Sequence, residues 1–346
     1  MADIKAGIIG VTGYVGIELL RLLSDHPYCE VVAVSSVSFE GSAVNDIYPG
    51  FDQICHLKIG TSDEVIENSE IVFACLPHGL SEEFARKTLD AGKVFVDMGA
   101  DFRLENSEDY KEWYNEDFKV PTLHLEAVYG LCELYRDDIC DARLIANPGC
   151  YPTAAALALA PALKNGIIDT DSIIIDAKSG TTGAGRGLTK ETHFSECNEN
   201  FAAYKVCAHR HTPEIEQTLS AIAKKDIKVT FTPHLLPVNR GIEETIYAKL
   251  KKDISIDEII SLYEEQYCAE DFVRVRKKGE IASIKNVRLS NFCDIALFKD
   301  ERTNRLIILS AIDNMIKGAA GQAIQNMNII FGLPEFTGLG LVPLVF

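Results

Sequence analysis

An α/β chain of two domains, the first a parallel sheet covered on both faces, is the fold this sequence predicts, and three observations carry it. Apolar, β-branched runs alternate with segments of helical period from residue 4 to residue 98. A glycine turn joins the first run to the first helix. Beyond Asn147-Pro148-Gly149 the strand candidates follow one another with fewer helices between them, the pattern of a mixed α+β domain.

Ile4 to Gly10 reads as a strand, Gly13 to Asp25 as a helix through Val15, Leu19, Leu20 and Leu23, and Glu30 to Ser35 as the next strand, together one βαβ unit. Ile71 to Leu76 and Lys93 to Met98 continue the strands. Between them Ser81 to Ala91 reads as a helix that opens on Glu82 and Glu83, where the helix dipole favours carboxylates. Strands joined through helices run parallel. A helix over Thr153 to Lys164 opens the second half. Strands are predicted there at Ser172 to Lys178, Lys228 to Leu235, Glu244 to Leu250, Phe272 to Arg276, Asn291 to Phe298 and Leu306 to Ala311, in a largely antiparallel sheet. A final amphipathic stretch, Asn314 to Phe331, carries Ala319-Ala320-Gly321 and Ala323, side chains small enough for close approach to a neighbour or a ligand. The expected division is residues 1–148 completed by 314–346, with 149–313 as the second domain.

Composition bounds the function. The 346 residues suit two domains at roughly 100–200 residues each. With 47% apolar and 25% charged residues the mixture is that of an ordinary globular protein and argues against a disordered or fibrous chain. Thirty-four Lys and Arg against 51 Asp and Glu leave a formal charge of −17, a field that repels phosphodiester backbones and anionic membrane surfaces. Neither nucleic acid nor membrane is an expected partner. Met1-Ala2-Asp3-Ile4-Lys5 enters a strand-like run without the basic and apolar regions of an export signal, and the ten cysteines form no CxxC spacing. Reduced thiols in a cytoplasm are expected, and no metal.

Gly10-Val11-Thr12-Gly13-Tyr14-Val15-Gly16 stands where the first strand meets the first helix. Glycines there allow a tight turn that turns backbone N–H groups toward a pyrophosphate, which makes Gly10, Thr12, Gly13, Tyr14, Val15 and Gly16 the candidate cradle of a Rossmann-type domain. An ordinary tight turn is the competing reading. Where NAD-preferring sites place an acid on the ribose, the chain has Ser35-Ser36-Val37-Ser38. The hydroxyls of Ser35, Ser36 and Ser38 suit a 2′-phosphate, so NADP is favoured over NAD.

Cys150, in Asn147-Pro148-Gly149-Cys150-Tyr151-Pro152-Thr153, sits at a helix start, where the dipole and exposed N–H groups favour the thiolate that a nucleophile needs. Buried packing is the ordinary role of a cysteine, and the others keep it. Histidines 209 and 211, in Ala208-His209-Arg210-His211-Thr212-Pro213, precede a predicted helix and are candidate acid–base partners. Their spacing puts both on one face if the segment is extended. A metal pair and plain core histidines compete with that reading. Lys178-Ser179-Gly180-Thr181-Thr182-Gly183-Ala184-Gly185-Arg186-Gly187 follows a strand and reads either as an anion nest with an arginine clamp or as a surface turn.

GVTGYVGIELLRLL (Gly10 to Leu23), DMGADFRL (Asp97 to Leu104), NPGCYPTAAALAL (Asn147 to Leu159), SGTTGAGRG (Ser179 to Gly187), HRHTPEIEQ (His209 to Gln217) and NMIKGAAGQAIQNMN (Asn314 to Asn328) together resemble the N-acetyl-gamma-glutamyl-phosphate reductase family over nearly the whole chain. The resemblance implies a Rossmann-type NAD(P)-binding domain with a mixed α+β catalytic and dimerisation domain, a fold shared with aspartate-semialdehyde dehydrogenase and more distantly with glyceraldehyde-3-phosphate dehydrogenase. It implies NADPH-dependent reduction of a small acyl phosphate, N-acetyl-L-glutamyl 5-phosphate, to the semialdehyde in arginine biosynthesis, by a cytoplasmic homodimer or homotetramer. Cys150 matches the nucleophile and His211 the acid–base histidine, with His209 in support. Arg103, Asn147, Gly183, Arg186 and Arg240 are carried over as substrate-positioning groups, and Leu76, Pro77, His78, Gly180 and Asn314 as further cofactor contacts. Two departures stand out: Ser35-Ser36-Val37 replaces a serine–arginine type of sequence, and Thr181-Thr182 stands where smaller residues are common. A sister reductase of aspartyl or aminoadipyl phosphate is the alternative within enzymes, and a non-catalytic NADP-binding regulator the alternative outside them.

Overall fold

The computed structural model describes residues 4–344, so the outermost residues of the expected spans, 1–3 and 345–346, lie outside the described residues. The chain divides into two compact units. One runs up to Pro148 and resumes over Ala319–Gly340, and the other is Gly149–Gly318 with the described residues from Leu341 onward.

The first unit holds a seven-stranded sheet of β1 (Ile4–Ile9), β2 (Cys29–Ser35), β3 (Ile59–Gly60), β4 (Ile71–Ala74), β5 (Val94–Asp97), β6 (Val128–Tyr129) and β7 (Leu144–Ala146), in the order β3-β2-β1-β4-β5-β7-β6. Every neighbouring pair is parallel. The central strand β4 is buried along its whole length, as an apolar run without alternation requires when helices cover both faces. The order reverses between β1 and β4, which opens the crevice where such sheets bind ligands.

The second unit holds β8 (Ile174–Ser179), β9 (Ala202–Ala203), β10 (Thr230–Leu235), β11 (Ile242–Lys249), β12 (Val273–Val275), β13 (Cys293–Asp300) and β14 (Arg305–Ile312), in the order β12-β13-β14-β11-β8-β10-β9. The β8–β10 and β12–β13 pairs are parallel and the other four antiparallel, so the sheet expected to be largely antiparallel is mixed, with antiparallel pairs in the majority. The Cys150–Lys164 helix packs on it and is buried from Tyr151 to Leu163, which its near-continuous Ala and Leu sequence permits on every side. Tyr263 and Tyr267 of the Ile256–Tyr267 helix donate hydrogen bonds to the Ala158 and Leu157 carbonyls, and Ser310 of β14 donates to that of Ala154.

Two sequence expectations change. The stretch from Asn314 is not amphipathic: a π-helical turn, Ile316–Ala320, leads into the Gly321–Ile330 helix, and both are buried almost all round. Its amides look like a polar face in sequence but are consumed inside the first unit. Gln322 and Asn326 donate to the Gly130 carbonyl, Gln325 to Glu133, and Asn328 to the Glu335 and Thr337 carbonyls. The predicted second-half helix also starts earlier, at Cys150 rather than Thr153, because Gly149 takes the extended N-cap conformation.

Glu244 on β11 is fully buried, and neither carboxylate oxygen has a hydrogen-bond partner. Burial, with Glu243 adding and Lys178 opposing, lifts its pKa well above 4.5, so the folded protein keeps a proton that the unfolded chain releases. That contribution to stability is complete below pH 4.5 and is lost as the pH rises toward the raised value. Glu244→Gln is therefore expected to melt at a higher temperature than the parent at pH 8, with the gap closing toward pH 4. A gap independent of pH overturns the neutral-carboxyl assignment.

Candidate active site

In the first unit the glycine turn is shaped by close approach. Gly10 has φ +84°, and a Cβ on it would lie 2.4 Å from the Cys75 carbonyl oxygen. A Cβ on Gly16 would lie 2.4 Å from the Gly10 oxygen. Gly13 is the N-cap of the Tyr14–Leu23 helix, which has neither a side-chain cap nor an acidic residue in its first turn. The first turn of that helix brings no acid of its own to compete with an anion, so the cradle fits a pyrophosphate.

Thr12 and Ser36 share a hydrogen bond of 2.7 Å between hydroxyls, which ties the glycine turn to the loop after β2. Ser35 is buried and its hydroxyl meets that of Ser62 at 3.2 Å, whereas Ser38 is exposed. The loop from Leu76 through Pro77 and His78 hangs from two buried carboxylates. Asp101 accepts the Gly79 and Ser81 N–H groups at 2.6 and 2.8 Å, and Asp97 accepts the Ser81 hydroxyl at 2.7 Å. Burial and the neighbouring Asp101 carboxylate push the Asp97 pKa up to about 6.

Arg103 is buried and donates to the Asn147 and Met98 carbonyls, while Asn147 donates to the Ala319 carbonyl and accepts from Asn326. These contacts brace the backbone that leads to Pro148.

In the second unit, Cys150 is the first residue of its helix and half-buried. The Gly149 N–H just before it is accepted at 2.7 Å by Glu214, fully buried one turn into the His211–Ala223 helix. This bond draws the starts of the cysteine and histidine helices together. On another side Gly318, in the π-helical turn, approaches so closely that a Cβ would lie 2.7 Å from Cys150 Cβ.

The two histidine rings lie 4.9 Å apart, and both meet the Tyr151 ring edge-on, at 5.5 and 5.9 Å. The segment is not extended, as the spacing argument required. It is a turn in which the Thr212 N–H bonds the His209 carbonyl and the His211 N–H bonds His209 Nδ1. Winding into the helix brings the rings together by a different route. Tyr204 completes the cluster, its hydroxyl 3.1 Å from that of Tyr151 and 3.5 Å from His209 Nε2.

The glycine loop packs backbone to backbone on the turn before β11: the Gly180 N–H bonds the Gly241 carbonyl, and a Cβ on Gly180 would meet the Asn239 oxygen at 2.6 Å. Asn314 joins the two turns, accepting the Gly241 N–H and donating to Thr182. Gly180, Gly183, Arg240 and Asn314 are thus gathered, with Arg240 3.6 Å from buried Asp313. Arg186 lies exposed further along the same loop.

Sequence reasoning missed Glu214, Gly318, Tyr151, Tyr204 and Asp101. Glu214 alone left a signal, since it shares the buried stripe of its helix with Ile215, Thr218 and Leu219. All ten cysteines are thiols. Among the described residues no cluster of three or more His, Cys, Asp or Glu is placed to hold a metal, and no helix is long and apolar enough to cross a membrane.

A parallel nucleotide-binding sheet, with a mixed-sheet unit in which the tyrosine after a helix-start cysteine packs on paired histidines, defines the semialdehyde dehydrogenase class. The family model described as the semialdehyde dehydrogenase NAD binding domain matches residues 5–142, and that of the dimerisation domain residues 150–314. The chain is 57% identical to an N-acetyl-gamma-glutamyl-phosphate reductase of Clostridium beijerinckii, over 99% of this chain and all of that one. It is 54% identical to another from Brachyspira hyodysenteriae, with the same coverage of both chains. It belongs to the N-acetyl-gamma-glutamyl-phosphate reductase family. Among solved structures, aspartate semialdehyde dehydrogenase II of Vibrio cholerae complexed with ASA superposes with a TM-score of 0.75 over 96% of this chain and 99% of that one, at 16% identity, a likeness of fold.

Proposed function

We propose that this chain reduces N-acetyl-L-glutamyl 5-phosphate to N-acetyl-L-glutamate 5-semialdehyde and phosphate with NADPH, through a thioester on Cys150. The observation that carries the reading is the Glu214 bond to the Gly149 N–H, which joins the start of the cysteine helix to the start of the histidine helix. The unit that runs up to Pro148 and resumes over Ala319–Gly340 is the NADP-binding one, and Gly149–Gly318 is the catalytic and oligomerisation part of a cytoplasmic homodimer or homotetramer.

The Cys150 thiolate, favoured by the helix dipole, attacks the acyl carbon. The carbonyl π electrons move to oxygen, and their return breaks the bond to phosphate. His211, protonated, gives its proton to the departing phosphate and recovers one from water. First-turn N–H groups of the Cys150 helix face the developing oxyanion. Gly10, Thr12, Gly13, Tyr14, Val15, Gly16 and the Ser35–Ser38 loop with Leu76, Pro77 and His78 would hold NADPH, which would supply the hydride that reduces the thioester carbon. Breaking the C–S bond then frees the aldehyde and restores the thiolate. Arg186 and Arg240 are the candidate clamps for the substrate's anionic groups, with Gly183 giving them room; Gly180 and Asn314 shape the loop, and Arg103 and Asn147 hold the backbone ahead of Cys150.

The test is phosphate-dependent oxidation of N-acetyl-L-glutamate 5-semialdehyde, followed by formation of reduced nicotinamide with NADP and with NAD. Turnover with aspartate semialdehyde in its place moves the substrate to the sister family. Binding of NADP with no turnover on either substrate favours the regulator. Ser36→Asp places an acid where it repels a 2′-phosphate and accepts the ribose hydroxyl. The ratio of kcat/KM for NADP over NAD is expected to fall by at least about tenfold. An unchanged ratio places the 2′-phosphate elsewhere.

A further inference from the structure

We propose that His209 is a positioning residue, which accepts the His211 N–H at Nδ1 and points Nε2–H at Tyr204, so that the first turn carrying the His211 ring is fixed and His211 alone exchanges protons. This rests on the reading of His211 as the acid–base group.

The tautomer follows from the contacts. A backbone N–H can only donate, so His209 Nδ1, 3.1 Å from the His211 nitrogen, is bare and acts as acceptor. The proton of the neutral ring is then on Nε2, facing the Tyr204 oxygen at 3.5 Å. This leaves the Tyr204 proton for the Tyr151 oxygen at 3.1 Å.

The His211 N–H belongs to the first residue of a helix, whose opening amides have no partner within the helix, and Arg210 at the N-cap does not cap them with its side chain. The His209 ring therefore serves as the cap. Tyr151 and Phe231 hold its plane edge-on, at 5.5 and 5.4 Å, and Tyr204 is anchored by its backbone N–H to the Pro233 carbonyl of β10. Protonating Nδ1 would set N–H against N–H and break the cap. Burial is the main opponent of the charged ring, and Lys205 and Arg210 add to it, bringing the His209 pKa down to about 3. A proton donor at neutral pH needs the opposite.

The experiment compares two substitutions and one spectrum. Asparagine at 209 can accept the same N–H through Oδ1, as in an Asx turn, and leucine cannot. H209L is expected to lose at least about tenfold in kcat, with KM for the acyl phosphate little changed. H209N is expected to recover most of that loss and to keep the alkaline limb of the pH–rate profile. If H209N is as slow as H209L and loses the limb, His209 is the acid–base group and the proposal falls. In the parent enzyme, the 15N signals of the ring absent from H209N should show bare Nδ1 and protonated Nε2 from pH 5 to 9. Two protonated nitrogens at pH 6 overturn the assignment whatever the variants do. Failure of the His211 reading is separate, because it appears as an H211N variant that keeps the limb.

Discussion

Cys150→Ala is expected to abolish acyl-phosphate reduction while leaving NADP affinity nearly unchanged. Removing the nucleophile of a covalent mechanism costs on the order of 10⁶-fold in kcat in the serine protease subtilisin. The substitution is mild in structural terms. Cys150 starts a helix in which alanine is the best-suited residue, and its Cβ already rests against Gly318, so no new volume is introduced. The glycine cradle lies in the other unit and contains no part of Cys150. The checks are steady-state turnover in both directions and fluorescence titration with NADPH. Trapping of an acylated parent enzyme at Cys150 by mass spectrometry, absent in the variant, completes the test. Substantial turnover by the alanine variant removes Cys150 from the nucleophile role.

His211→Asn is expected to lower kcat by roughly 100-fold or more. Asparagine keeps a polar side chain at the helix start but cannot carry a proton to phosphate. In the parent, kcat/KM should decline on the alkaline side as the imidazolium loses its proton, and in the variant that decline should vanish along with most of the rate. The phosphate leaving group makes the test sharper. A substrate whose leaving group departs without a proton should suffer less from the substitution than the acyl phosphate does. An unchanged pH profile in H211N refutes the acid–base assignment.

Four strands of the parallel sheet, β1, β2, β4 and β5, were legible because they are apolar runs separated by helices that begin with glycine or acid signals, whereas three-residue β7 was not. Cys150 was legible at a helix start because Pro-Gly before it and alanines after it bracket the boundary. The two-residue strands β3, β6 and β9 were not, since two residues carry no period. The Ile256–Tyr267 helix was passed over although Ser255 and Glu258 form a capping box, a local signal that was there to be read. Tyr204 and Gly318 are different. Their importance lies in contacts with residues distant in sequence, Tyr151 and Cys150, and nothing in their neighbourhoods announces a partner. The Asn314 stretch failed for a related reason, because hydropathy counts amides as solvent-facing and has no means of seeing them satisfied indoors.

The Gly321–Ile330 helix also supplies partners that the first unit lacks while the chain is being made. The first unit emerges early from the ribosome, yet Gly130 and Cys132 wait for Asn326, Asn147 for Ala319 and Asn326, and His26 for Asn328. Those groups are buried in the finished protein, and leaving them unsatisfied costs about 1–3 kcal/mol each. The intervening unit has its whole sheet translated before any of these partners appears. The inserted unit thus has all its strands in the emerging chain before the nucleotide-binding unit has its last buried partners. The pyrophosphate-binding unit is complete in the nascent chain only once Ala319–Gly340 has been translated.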